Sequence, residues 1–168
     1  MSAPALRRVD LTDPVFAYDE TDPEGFRAGR VRMGPSLGAR ETGASLYELP
    51  PGQAICPYHY EYGEEEWLLV VSGDVTVRHP GGTEVLGPMQ ATCFVRGPEG
   101  AHQVRNDSGA TVRLIMWSTV VHPTATAYPD SGKVGISTGV AGEDVMVRRT
   151  DSVPYYDGET APGAGPAA

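Results

Sequence analysis

His59 and Glu61 stand two residues apart in the run Pro57-Tyr58-His59-Tyr60-Glu61-Tyr62-Gly63-Glu64-Glu65-Glu66-Trp67. A second histidine follows in Gly97-Pro98-Glu99-Gly100-Ala101-His102-Gln103-Val104-Arg105-Asn106. Two imidazoles and two carboxylates, His59, Glu61, Glu66 and His102, make a nitrogen and oxygen donor set without thiolate. Such a set suits Fe(II), Mn(II), Ni(II), Cu(II) or Zn(II), and ligand type alone does not choose among them. With three or four protein ligands a position stays open for water or substrate. The ion could then serve as a Lewis acid, or as a platform for oxygen or bound hydroxide. Taken singly, Glu64-Glu65-Glu66 reads as a solvated turn and His102 as a structural histidine. Their combination carries the metal reading.

Strands are the elements that would bring these residues together. Side chains two apart share a strand face, so His59 and Glu61 project together and Tyr58, Tyr60 and Tyr62 point the other way. The residues between Glu61 and Glu66 allow a tight reversal. On the next strand, Leu68 and Val70 share the face of Glu66, and Trp67 and Leu69 take the opposite one. Further strands are expected at 45–49, 54–61, 66–71, 75–79, 83–86, 91–95, 101–105 and 111–120. Turn signals separate them, among them Pro50-Pro51-Gly52, Ser72-Gly73-Asp74 and Pro80-Gly81-Gly82. Short strands at this spacing indicate an all-β sandwich or barrel.

The 168 residues suit one domain with a core of its own, and 21 Gly with 15 Pro favour turns over long helices. We divide the chain into an N-terminal arm (1–40), a barrel core (41–122), a C-terminal extension packing on the barrel (123–160) and a disordered tail (161–168). One more edge strand is expected within 144–149. A formal charge of -9 argues against nucleic acid or an anionic membrane as partner. No stretch approaches the roughly 20 apolar residues that span a bilayer, and 1–10 lacks a signal-peptide apolar region. A cytoplasmic location is therefore expected. Cys56 and Cys93 read as reduced, buried thiols.

The spacing resembles that of the cupin superfamily. Its first motif runs G, five residues, H-x-H, three or four residues, E, six residues, G. Here Gly52, six residues, His59-Tyr60-Glu61, four residues, Glu66, six residues and Gly73 take those places. The second motif has a P-x-G turn, a His, three residues and N, matched by Pro98-Glu99-Gly100, His102 and Asn106. The likeness covers about residues 44–120. Blocks at 128–135 and 155–159 are similar to a mostly uncharacterised group of small single-domain bacterial cupins. The resemblance implies a cupin-type double-stranded β-helix, a jelly-roll barrel, with one divalent metal per chain on His59, Glu61, Glu66 and His102. Glu61 stands where the family usually has a second histidine. Its charge would favour harder ions, or it would act as a general base beside a three-ligand metal. The resemblance also implies a homodimer, and the tyrosine stripe suits burial between subunits.

The expected activity is metal-dependent turnover of a small molecule inside the barrel. An oxygenase comes first, an isomerase or lyase second, and a non-catalytic binding module third. Gln103 and Arg105 are candidates for orienting a substrate. Trp67, Trp117, Phe94 and Met116 are expected in the core. His79 is expected to be exposed and His122 structural, and Ser72 and Ser118 lack the partners of a hydrolase triad.

Overall fold

A computed structural model describes residues 5–160 and 162. Its strands are β1 (Gly29–Arg32), β2 (Thr42–Leu49), β3 (Tyr60–Glu61), β4 (Glu66–Ser72), β5 (Val75–His79), β6 (Gly82–Leu86), β7 (Ala91–Phe94), β8 (Gln103–Arg105), β9 (Val112–Thr119), β10 (Thr124–Tyr128), β11 (Lys133–Ser137) and β12 (Val145–Arg148). A short α-helix, α1, covers Met33–Leu37. The strands form three antiparallel sheets in the orders β1-β2-β9-β4-β7, β12-β11-β10-β3 and β6-β5-β8. This is the all-β jelly-roll that the strand pattern and the motifs led us to expect.

Alternation decides what faces inward. Along β4, Leu68 and Val70 are fully buried, and across β9 their register partners Met116 and Leu114 are buried too. Leu49, Val75, Val77, Phe94, Val104 and Val112 complete the apolar core. Burying each such side chain stabilises the fold by about 1.5–3 kcal/mol. Gly73 turns β4 into β5 with φ +75°, where a Cβ would lie 2.6 Å from the Val112 side chain. Only glycine satisfies both demands.

Several expectations need correction. The strand foreseen over 54–61 shrinks to Tyr60–Glu61, with isolated bridges at Ala54 and His59. Pro57 has no N–H to donate, so a continuous ladder cannot form there. The N-terminal arm is not wholly irregular: β1 pairs with β2 residue for residue, and α1 packs beside β2. Trp67 and Trp117 are not core residues. They are register partners on the outer face of the sheet, stacked with ring centroids 5.7 Å apart, and Trp67 is 41% exposed. Phe94 and Met116 are in the core as expected. Both cysteines are half-buried free thiols, not core residues. The edge strand foreseen near 144–149 is β12. The tail foreseen as disordered lies outside the described residues, Pro162 apart. Among the described residues no helix is long and apolar enough to cross a membrane.

Candidate metal centre

β3 is only two residues long, yet the segment leading into it is held firmly. His59 and His102 form an isolated antiparallel bridge in which each backbone N–H donates to the other's carbonyl, at 3.1 and 2.8 Å. Residues opposed in this way project side by side, and the two imidazole centroids lie 4.6 Å apart. Both rings are then turned by the same device. His59 Nδ1 lies 2.9 Å from the carbonyl of Pro57, and His102 Nδ1 lies 2.9 Å from that of Gly100. A carbonyl can only accept, so each Nδ1 carries the proton and each Nε2 presents its lone pair. A partner on the far nitrogen is the usual means of fixing a ligand imidazole.

Both lone pairs point toward Glu66, the first residue of β4. Its Oε2 is 3.5 Å from His59 Nε2 and 3.2 Å from His102 Nε2. One ligand atom from each of the three residues falls within 4.8 Å of the others. Among the described residues no other His, Cys, Asp or Glu trio is gathered so closely. Glu66 Oε2 and His102 Nε2 are buried without a hydrogen-bond partner, despite the 3.2 Å between them. The short distance is not a hydrogen bond, because both atoms are acceptors in this tautomer. Two buried acceptors facing one another call for a shared cation. The donor set therefore fits a divalent metal.

Without an ion, a proton takes that role. Burial opposes a charge on His59, but Cys56 and the Glu66 carboxylate outweigh it and push the imidazole up to about 12. The thiol of Cys56 lies 3.5 Å from His59 Nδ1. Burial works to raise Glu66, but the imidazoles of His102 and His59 beside it hold it down at about 2. The result is a buried, ionised pair waiting to exchange its proton for a metal.

Glu61 is beside this group but not at its centre. Its Oε1 lies 3.8 Å from His59 Nε2, and its Oε2 accepts a 2.6 Å hydrogen bond from Thr126 Oγ1 on β10. Burial lifts its carboxyl above the ordinary value, against the lowering effects of Thr126 and His59. The structure thus brings three of the four expected ligands to one point and leaves the fourth tethered alongside.

Three supporting side chains carried no signal for this role in the local sequence. Phe94 stacks flat on His102, with centroids 3.6 Å apart and planes at 4°. Tyr128 stacks on His59 at 6.0 Å. Thr126 meets Glu61 only because β10 pairs with β3, Thr126 opposite Glu61. The loop before His102 depends on Gly100, where any Cβ would collide with the backbone carbonyl of Val95. Gln103 and Arg105 face away from the centre, since His102, Val104 and Asn106 hold the buried face. Gln103 donates to the Cys56 carbonyl and Arg105 pairs with Asp107. Neither can orient a ligand at the centre. His79 is half-buried against Glu84 and His122 is exposed.

Residues 45–118 match the family described as Cupin domain. No curated protein matches the chain. Among solved structures, it is similar to a sugar phosphate isomerase of the cupin superfamily from Silicibacter pomeroyi. That likeness has a TM-score of 0.76 at 20% identity and covers 89% of this chain and 98% of the other. A candidate sugar phosphate isomerase from Acidithiobacillus ferrooxidans gives 0.71 at 24% identity, over 77% and 81%. A polyketide cyclase from Streptomyces resistomycificus gives 0.56 at 23%, over 68% and 80%.

Proposed function

We propose, from the match of residues 45–118 to the family described as Cupin domain, a metal-dependent enzyme that moves a proton on a small organic molecule, an isomerase or lyase. The observation that carries it is the division of labour at the site. His59, Glu66 and His102 turn toward one point, while Thr126 ties the Glu61 carboxylate beside them. A divalent cation on the three would supply a Lewis acid for a substrate oxygen. Glu61 is the base: Thr126 fixes Oε2, and Oε1 is left to take and return a proton. Its burial makes the ionised carboxylate a stronger base than one in water. Tyr128 and Phe94 wall the histidines and keep bulk water off them. Two structural neighbours are described as sugar phosphate isomerases. Their identities speak to fold, and the acid–base reading stands on Glu61 itself.

The donor set favours a second reading. Two histidines and one carboxylate with open positions also suit a non-haem Fe(II) oxygenase. One experiment separates the two. The protein is loaded in turn with Fe, Mn, Ni, Cu and Zn and incubated in D2O with small hydroxycarbonyl compounds. Deuterium appearing next to the carbonyl, lost in Glu61→Gln with metal retained, supports proton transfer. Oxygen consumption with Fe(II) alone, and no exchange with any metal, supports the oxygenase.

We also propose a second copy of the chain as partner, a homodimer. The sheet face turned away from the centre supports this. Register aligns Ala125 and Ala127 of β10 with Val134 and Ile136 of β11, and these with Val145 and Val147 of β12. Tyr60 is opposed to Ala127, and its hydroxyl meets that of Tyr62 at 3.1 Å. Tyr62, Ile136, Val145 and Val147 are each at least two-fifths exposed. An apolar strip of this kind on the last strand of a sheet is what a partner covers.

A further inference from the structure

Ser45, Tyr47, Met116 and Ser118 line a cavity of about 130 Å³ together with Arg32, Trp117 and the metal-centre residue Glu66. Register explains the gathering. Glu66 is opposed to Ser118 across β4 and β9, and Ser45 is opposed both to Met116 on β9 and to Arg32 on β1. Directly opposed residues share a face, so Glu66, Ser118, Ser45 and Arg32 all lie on the inner side of one sheet. Arg32 is the outermost of them and is exposed. It makes no ion pair with any described residue. Arg30, two residues earlier on the same face, is turned to the Tyr47 phenol.

Charge gives this arrangement its meaning. The chain carries -9 overall, and the metal centre itself contains Glu61 and Glu66. An anionic molecule entering the site would be repelled by both carboxylates. A free guanidinium at the rim of the cavity reverses that locally, and its fork of N–H donors matches a carboxylate or phosphate in two-point contact. Ser45 and Ser118 add hydroxyl donors along the wall. The cavity has room for a group of that size and little more.

We propose that Arg32, with Ser45 and Ser118, forms a subsite for the anionic group of the substrate, a carboxylate or a phosphate. The substrate then lies with its reacting carbon toward Glu66 and its charge toward β1. The inference rests on the metal-centre reading only for the direction in which the rest of the substrate points.

The test uses the full chain as wild type, Arg32→Ala and Arg32→Lys, each incubated with Zn(II). Elemental analysis gives metal content. The same samples are titrated by calorimetry with inorganic phosphate and, separately, with acetate. We expect saturable binding of at least one anion. It should be about 10- to 100-fold weaker in Arg32→Ala, as for loss of a charged hydrogen bond, and intermediate in Arg32→Lys, with equal metal in all three. Tighter phosphate binding identifies a phosphoryl-bearing substrate, and tighter acetate binding a carboxylate. Binding equal in wild type and Arg32→Ala, or no binding of either anion to the metal-loaded wild type, overturns the proposal and leaves the metal centre standing. A wild type that takes up no metal but binds anions through Arg32 overturns the metal centre and leaves the subsite standing.

Discussion

His59 and His102 face each other across a two-residue β-bridge, and each ring is fixed by the carbonyl two positions before it, Pro57 for one and Gly100 for the other. The pairing has a consequence for apparently distant positions. Whatever moves the Gly100 carbonyl turns the His102 ring and spoils the convergence on Glu66.

Gly100→Ala tests that link. Its Cβ would run into the Val95 carbonyl, so the loop must shift. We expect about 1–3 kcal/mol of destabilisation from the overpacking. We also expect metal affinity to fall about 10- to 100-fold, the range for losing an outer support of a ligand. Denaturant titration and metal competition measure the two effects. A destabilised variant with wild-type metal affinity would show that the Gly100 carbonyl does not orient His102.

Metal uptake should depend on pH with a definite sign. His59 is raised to about 12 in the metal-free protein, so it must release a proton before it can ligate. Glu66 is held at about 2 and is already ionised. The apparent association constant should therefore rise about tenfold per pH unit between roughly pH 6 and 8. The metal-free fold follows the opposite logic. Stabilisation from the raised His59 is full below its ordinary 6.5 and fades as pH climbs toward 12. That from Glu66 is full above its ordinary 4.5 and fades as pH falls toward 2. Melting of the metal-free protein should show this pair's contribution at its largest between those two ordinary values.

Thr126→Val removes the hydrogen bond to Glu61 without touching a ligand. The bond holds the Glu61 carboxyl down against the effect of burial. Without it the carboxyl should titrate higher, and the acid limb of the pH–rate profile should move up. Metal content should stay at the wild-type level. An unmoved limb would mean that Glu61 is not the group whose ionisation controls the rate.

The exposed strip on β11 and β12 makes a prediction about mass. In solution the protein should run at twice the chain's 17.9 kDa. Val147→Asp, at the strip's edge, should shift it toward monomer with metal content kept. A wild-type monomer at micromolar concentration would leave the strip without the proposed partner.

Much of the site was legible in the sequence because strand alternation is local. The two-residue step from His59 to Glu61, and the spacing from Glu66 to Gly73, were enough to choose Glu66 over Glu64 and Glu65. The same alternation set Trp67 opposite Glu66, yet its bulk argued for the core, and the stacked pair with Trp117 lies outside. What could not be read were partnerships set by distant pairing. Thr126 is 65 residues from Glu61 and reaches it only through the β3–β10 ladder. Arg32 lay in a segment read as an irregular arm, because a four-residue strand earns its place only by pairing with β2.

The central claim is that His59, Glu66 and His102 hold one divalent metal. Its most direct measurement is elemental analysis joined to melting, on wild type, His59→Ala and His102→Ala after incubation with Fe, Mn, Ni, Cu and Zn. The account predicts close to one equivalent of one of these metals in wild type and little in either variant. With metal at a hundredfold excess over Kd, wild type should gain about 2.7 kcal/mol, a rise of roughly 5–10 °C for a chain of this size. The variants should gain almost none. Equal metal and equal melting in all three proteins, with or without added metal, would contradict it.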